Sequence, residues 1–222
     1  MNALLAGKSY SAFLFDMDGT LLSSIAAAER VWGEWARRHG LDVAAFLPTI
    51  HGVKARETIR RQNLPDIDLD LEVEWVTRGE MEDTDGILAI DGVMHFLNAI
   101  PADRWAIVTS ATRDLALKRL AAAGIHPPKT IVSGEDVVHG KPAPDCFLLG
   151  AERLGVSIDD CLVFEDAPAG IAAAEAAGAD VMVITATHQH PLDTMHGTVP
   201  NYLSIQLDMT SDDRLRIVPV RI

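Results

Sequence analysis

Five short, almost unbroken apolar runs are spaced along the chain: SAFLF (11–15), RWAIVT (104–109), KTIVS (129–133), CLVFE (161–165) and DVMVIT (180–185). A strand with one face in water alternates apolar and polar residues, whereas a strand covered on both faces reads as continuous apolar sequence. These runs therefore predict a parallel sheet sandwiched between helices. The intervening segments agree. TRDLALKRLAAAGI carries Leu115, Leu117, Leu120 and Ala121 on one side and ends at Gly124. PDCFLLGAERLGV carries Phe147, Leu148, Ala151 and Leu154 and ends at Gly155, and AGIAAAEAAGAD ends at Gly178. A glycine just past a helix takes up the left-handed stop that other residues resist. This alternation predicts a doubly wound α/β sheet with right-handed crossovers.

One stretch breaks the rhythm. Residues 23–88 hold no convincing strand and read as helices over roughly 23–39 (with Val31, Trp32 and Trp35), 54–62 and 69–83. That is too long for one crossover, so it is expected to be an inserted helical subdomain. The expected division is a core of 1–22 and 89–222 and a cap of 23–88. A chain of 222 residues, 48% of them hydrophobic, has enough apolar material for such a core. After residue 186 the pattern is less regular, and LRIVPVRI at the end is expected to add one more edge strand.

A net charge of -13 argues against a general nucleic-acid or anionic-membrane binder, since both need a basic patch. Small anionic substrates remain open, because a local Lys or Arg can hold them. Cys146 and Cys161 form no CxxC pair and lie in apolar segments, so both are expected to be reduced core residues of a cytoplasmic protein. The N-terminal apolar run stops at Asp16, which gives neither a signal peptide nor a membrane span.

In open α/β sheets, ligands bind beyond the carboxyl ends of the strands. The first run ends in Asp16 and Asp18, the second in Thr109 and Ser110, the fourth in Glu165 and Asp166, and Lys141 stands ahead of the helix beginning near 143. Two adjacent carboxylates repel, and burying them costs several kcal/mol without compensation. A hard divalent cation such as Mg²⁺ takes oxygen ligands and would relieve the repulsion of Asp16 and Asp166. With Lys141 it would neutralise a phosphate, while hydroxyls and amides at Thr109, Ser110 and Ala111 would bind the outer oxygens. One carboxylate is then left to attack phosphorus and another to handle a proton.

The segments DMDGTLL, IVTS, GKPAPD and VFEDAPAG resemble the four ordered motifs of the haloacid dehalogenase-like superfamily, and they span residues 16–170 in the family's order. IHGVKARETI, WAIVTSATRD, GKPAPDCFLLGAERLG and VFEDAPAGIAAAEAAG are similar to 2-deoxyglucose-6-phosphate and glycerol-3-phosphate phosphatases. The resemblance implies a Rossmann-like core with an inserted α-helical cap, Asp16 as the nucleophile that becomes an aspartyl-phosphate, and Asp18 as acid and base. It implies phosphate binding by Thr109 or Ser110 and by Lys141, and Mg²⁺ held by Asp16, Asp166 and the backbone carbonyl of Asp18, with Glu165 assisting directly or through water. Haloalkanoate dehalogenases of this superfamily lack a second Asp at the position of Asp18, so its presence points to phosphate chemistry. Three residues depart from the pattern: Ser23 where Asp is frequent, Asp91 where PGV is common, and Ala111 in place of a frequent Gly.

Each feature has a plainer reading. The Asp16–Asp18 pair suits a solvated turn, Thr109 and Ser110 suit a helix cap, Lys141 suits an ordinary surface lysine, and Glu165–Asp166 suit charge at the start of a helix. His51, Lys54 and Arg56 lie where related enzymes place the loop that reads substrate, or they are a solvated basic helix start. Trp32 and Trp35 read as cap core, and His188, His190 and His196 as loop histidines rather than a zinc site. The expectation is a Mg²⁺-dependent monomeric phosphomonoesterase for small sugar or polyol phosphates. A β-phosphoglucomutase-like isomerase and a catalytically silent sugar-phosphate sensor are the rivals on the same fold.

Overall fold

A computed structural model describes residues 7–188 and 190–220. The strands of the main sheet are β1 (Ala12–Phe15), β4 (Trp105–Val108), β5 (Thr130–Val132), β6 (Cys161–Glu165), β7 (Asp180–Ile184) and β8 (Gly197–Val199). They run in the order β5-β4-β1-β6-β7-β8, and every neighbouring pair is parallel. The five apolar runs are five of these six strands. Helices α5 (Val93–Ala99), α6 (Arg113–Ala122), α7 (Asp145–Leu154) and α8 (Pro168–Ala177) complete the core layers.

Side chains of β1 alternate between two buried faces, as the strand period requires. Phe13 and Phe15 join Phe96, Phe164 and Tyr202 in one aromatic cluster, in which Phe15 and Phe164 stack with centroids 4.5 Å apart. Ala12 and Leu14 face the other way, against Val108, Phe147 and Val163. All three glycine stops, at Gly124, Gly155 and Gly178, take left-handed φ values.

The helical insertion begins and ends on a two-stranded stem. There β2 (Leu22–Ser23) pairs antiparallel with β3 (Leu88–Ala89). Between them lie α1 (Ile25–Arg38), α2 (Val43–Phe46), a 3-10 turn at Leu47–Thr49, α3 (Ala55–Arg61) and α4 (Leu69–Glu82). Asp68 caps α4 by accepting from the Asp70 and Leu71 amides, and Arg37 and Arg38 close the last turn of α1, where the helix dipole favours cations. Trp32, Trp35, Phe46, Ile59 and Val76 form this layer's own core, separate from those of the sheet.

Three expectations are corrected. LRIVPVRI does not extend the main sheet. Its described part forms β10 (Leu215–Pro219), antiparallel to β9 (Ile205–Met209) in a separate ribbon, tied to the core by the reciprocal Tyr10–Leu215 backbone bonds of 2.8 Å. In α6, Leu117 and Ala121 face solvent and the buried set is Leu115, Ala116, Arg119 and Leu120. In α7, Leu148 is exposed, and Cys146 and Gly150 are buried instead. Among the described residues no helix is long and apolar enough to cross a membrane.

Candidate active site

The carboxyl ends of β1, β4 and β6 meet at one ammonium group. Lys141 Nζ donates to Asp16 Oδ1 at 2.5 Å, to Glu165 Oε1 at 2.7 Å and to the Val108 carbonyl at 3.2 Å. Its side chain is 1% exposed, and those of Asp16 and Glu165 are 7% and 0%. Burial opposes the charge on Lys141, but the two carboxylates outweigh it and hold the ammonium above the usual lysine range.

Glu165 is fully engaged as a strut. Its second oxygen accepts from the amides of Asp166 and Ala167, each at 2.7 Å, at the start of α8. Gly170 in the first turn of α8 makes room for it, since a Cβ there would lie 1.5 Å from Glu165 Oε1. Asp166 is held more lightly, by Thr20 Oγ1 at 3.3 Å. Here Gly19, at φ +90°, lets the loop after β1 pass close by, because a Cβ would lie 2.0 Å from Asp166 Oδ2.

Asp16, Glu165 and Asp166 bring oxygen atoms within 4.8 Å of one another. Three buried carboxylates face one ammonium. Burial pushes the Asp16 carboxyl above the usual carboxylate range, Lys141 pulls against this and Glu165 adds to it. Burial, then Glu165 and Asp16, push Asp166 well above the usual carboxylate range. An all-oxygen donor set with excess negative charge fits a hard divalent cation. Since both Glu165 oxygens already have partners, Asp16 and Asp166 are the carboxylates with capacity left for it.

Asp18 turns away from this group. Ser24 Oγ donates to Asp18 Oδ1 at 2.6 Å, and Arg119 Nη1 donates to Oδ2 at 3.0 Å. Any share of Asp18 in a cation site therefore falls to its backbone carbonyl. Arg119 Nη2 also reaches Glu80 Oε1 on α4 at 2.9 Å, and Trp32 Nε1 donates to that oxygen at 3.2 Å. The sequence reading missed Arg119 and Glu80. The available signal was spacing, because position 119 lies one turn beyond Leu115 on the buried face of α6.

A cavity of about 300 Å³ lies between the strand ends and the helical layer. Asp16, Asp18, Thr109, Ser110 and Asp166 form its floor, and Trp32, Ile50, His51, Val73, Thr77 and Glu80 contribute from above. Thr109 is buried, and its Oγ1 accepts from the Ala111 amide at 3.1 Å, so that amide is occupied. Ser110 Oγ donates to the Gly52 carbonyl at 3.0 Å, which joins the core loop to the helical layer. His51 lines the cavity, and burial holds its imidazole below the usual histidine range, with Glu29 and Asp18 opposing. Lys54 and Arg56 also line it, and the Lys54 ammonium donates to the Val137 carbonyl at 2.7 Å. Arg56 pairs with exposed Asp70. His188 Nε2 donates to the Asp166 carbonyl at 2.9 Å, His196 pairs with Glu175, and His190 is exposed.

Sequence comparison finds the haloacid dehalogenase-like hydrolase family over residues 10–178. The chain is similar to hexitol phosphatase A of Escherichia coli, with 41% identity over 189 residues that cover 82% of this chain and 84% of the relative. It is similar to glycerol-1-phosphate phosphohydrolase 2 of Saccharomyces cerevisiae, at 34% identity over 80% of this chain and 75% of the relative. Among solved structures, a hydrolase from Pseudomonas syringae superposes with a TM-score of 0.73 at 27% identity, covering 81% of this chain and 87% of that one.

Proposed function

The chain belongs to the haloacid dehalogenase-like hydrolases, and on that premise we propose that it is a phosphomonoesterase releasing inorganic phosphate from small sugar or polyol phosphates. The observation that carries the proposal is the division of labour among its carboxylates. Asp16 sits in the cation-ready group beside Lys141, and Asp18 stands apart with different partners at the same cavity.

Asp16 attacks phosphorus, the bond to the sugar oxygen breaks, and Asp18 gives that oxygen its proton. A water then attacks the aspartyl-phosphate, passing a proton back to Asp18, and phosphate leaves with Asp16 restored. Lys141 orients Asp16 and offers positive charge to the phosphoryl oxygens, and the Thr109 hydroxyl binds them from the loop after β4, joined by Ser110 when its hydroxyl leaves the Gly52 carbonyl. Mg²⁺, held by Asp16, Asp166 and the Asp18 carbonyl, would supply electrostatic stabilisation of the transferring phosphoryl group. The helical layer excludes bulk water and supplies contacts to the leaving group. His51 is the cap residue best placed for this, while Lys54 and Arg56 support the loop that carries it.

The cavity suits a sugar-sized leaving group, and its mixed lining offers Thr77 and His51 to hydroxyls and Trp32 and Val73 to carbon. The net charge of -13 and the two buried free thiols support a cytoplasmic monomer with small-molecule substrates. The test is phosphate release from hexitol, hexose and glycerol phosphates, with Mg²⁺ and with excess EDTA. Mg²⁺-dependent release that disappears in Asp16→Asn supports the assignment, and full activity in Asp16→Asn overturns it. Release without any bisphosphate activator also excludes a mutase.

A further inference from the structure

Arg119 is the feature of the cavity wall that the reaction as written does not use. It is 6% exposed and lies on α6, a core helix, yet both of its terminal nitrogens leave that helix. One holds Asp18 Oδ2 and the other holds Glu80 of α4 in the helical layer. Burying a guanidinium costs several kcal/mol unless partners compensate. Here compensation is incomplete, because Nε is buried without a hydrogen-bond partner among the described residues. A residue needed only to fasten two helices would be served by apolar side chains at lower cost.

The geometry explains what the fork achieves. The acid–base carboxylate has two fixed neighbours, Ser24 on one oxygen and Arg119 on the other. Ser24 precedes α1 and Glu80 lies in the last turn of α4, so both ends of this network belong to the helical layer. Glu80 is itself fixed by the Trp32 indole, on a cavity-lining residue of α1.

We propose that Arg119 is a positioning residue for Asp18, and that its second arm on Glu80 makes that positioning depend on the docked helical layer. The inference rests on the phosphatase reading above. With the layer in place, Arg119 is held from two sides and presents Asp18 at the leaving-group end of the cavity. Without Glu80, one arm is free and the carboxylate loses its fixed orientation. Lysine cannot replace the fork, since a single ammonium lacks the two parallel arms.

The step most sensitive to Asp18 is proton delivery to a poor leaving group. An alkoxide needs that proton, whereas 4-nitrophenolate leaves without it. Positioning of the acid is therefore read as a difference between substrates, not as a loss common to both. Values of kcat/KM are measured for glycerol phosphate and for 4-nitrophenyl phosphate, with Mg²⁺, in wild type, Arg119→Lys, Glu80→Ala and Glu80→Gln, with circular dichroism as the check on folding. General acid catalysis is worth about a hundredfold or more. Arg119→Lys and Glu80→Ala are expected to lose at least about tenfold more on the alkyl ester than on the aryl ester. Glu80→Gln keeps an acceptor for Arg119 and is expected to recover most of that difference.

Equal losses on both esters would make Arg119 a structural tie and overturn the proposal, as would unchanged activity on glycerol phosphate. Should Arg119→Lys fail to fold, the Glu80→Ala and Glu80→Gln pair decides alone. Failure of wild type to hydrolyse either ester would instead overturn the phosphatase reading, and this inference with it.

Discussion

Replacing Lys141 with Met removes one charge and keeps most of the stem volume, so the change isolates the electrostatics of the carboxylate group. The Lys141 side chain is 1% exposed and touches Asp16 at 2.5 Å and Glu165 at 2.7 Å. Removing one partner of a buried ion pair costs about 3–5 kcal/mol, because the charge left behind has lost its compensation. Here two partners are left. Glu165 keeps two amide donors, which softens its loss, while Asp16 keeps no other cationic partner among the described residues. The expected loss is therefore about 3–4 kcal/mol, a large share of the about 5–15 kcal/mol that stabilises a typical domain. Urea unfolding at neutral pH in EDTA, followed by circular dichroism, measures it. Mg²⁺ should stabilise the variant more than wild type, because three carboxylates then lack any counter-charge. Adding Glu165→Gln to Lys141→Met should recover part of the loss. A loss below about 1 kcal/mol in EDTA, or no recovery in the double variant, would refute the pairing described here.

Two further outcomes follow from the same site and its support. Gly19→Ala would force a Cβ to within 2.0 Å of Asp166 Oδ2 at a left-handed φ, so Mg²⁺-dependent phosphate release should fall by about a hundredfold, with strain of about 1–3 kcal/mol in thermal unfolding. Normal activity in that variant would contradict the close approach of the loop to Asp166. Asp136 accepts from Arg153, from Arg113 and from both the amide and hydroxyl of Ser133, and the Arg153 bond in particular holds its carboxyl well below the usual range. A depressed carboxyl pKa contributes stability that is full above the unfolded value, about 4, and is lost as pH falls towards the folded value. Asp136→Asn should therefore cost about 1–3 kcal/mol at pH 7. The gap should narrow progressively as pH falls below about 4, and an equal gap at pH 3 and pH 7 would contradict the assignment.

The sheet was legible because it is buried on both faces. Every residue of β1, β4 and β6 is buried, and that leaves continuous apolar runs in the sequence. Strands without that constraint left no such mark. The stem strands β2 and β3 are two residues long, and β9 has a single buried residue, Ile205, on a ribbon. The helices of the insertion were legible as periodic segments, but α2, only four residues long, carries too little periodicity to be read. The misread faces of α6 and α7 share one cause. Apolar residues were assigned to the buried side by type, whereas on α6 the buried stripe of Leu115, Ala116, Arg119 and Leu120 includes a charge, and on α7 it includes a glycine and a thiol.

That exception explains which half of the candidate site was hidden. Asp16, Lys141, Glu165 and Asp166 all stand at strand ends or in the loops that follow them, where the topology of an open α/β sheet collects ligands, so their convergence follows from chain order. Asp18 is different. Its surroundings depend on how the insertion packs over the sheet, which is tertiary information. Arg119 and Glu80 are 39 residues apart, and each looks like an ordinary surface charge on an amphipathic helix. What marks them is conflict between period and polarity. Arg119 occupies an apolar position by spacing, and a chain keeps a charge there only when something on the facing element offsets its burial. The facing element is α4, and the partner it supplies is Glu80. A charged residue on the buried face of a core helix next to an insertion therefore indicates where that insertion docks. In this chain it docks against the carboxylate assigned to move the proton.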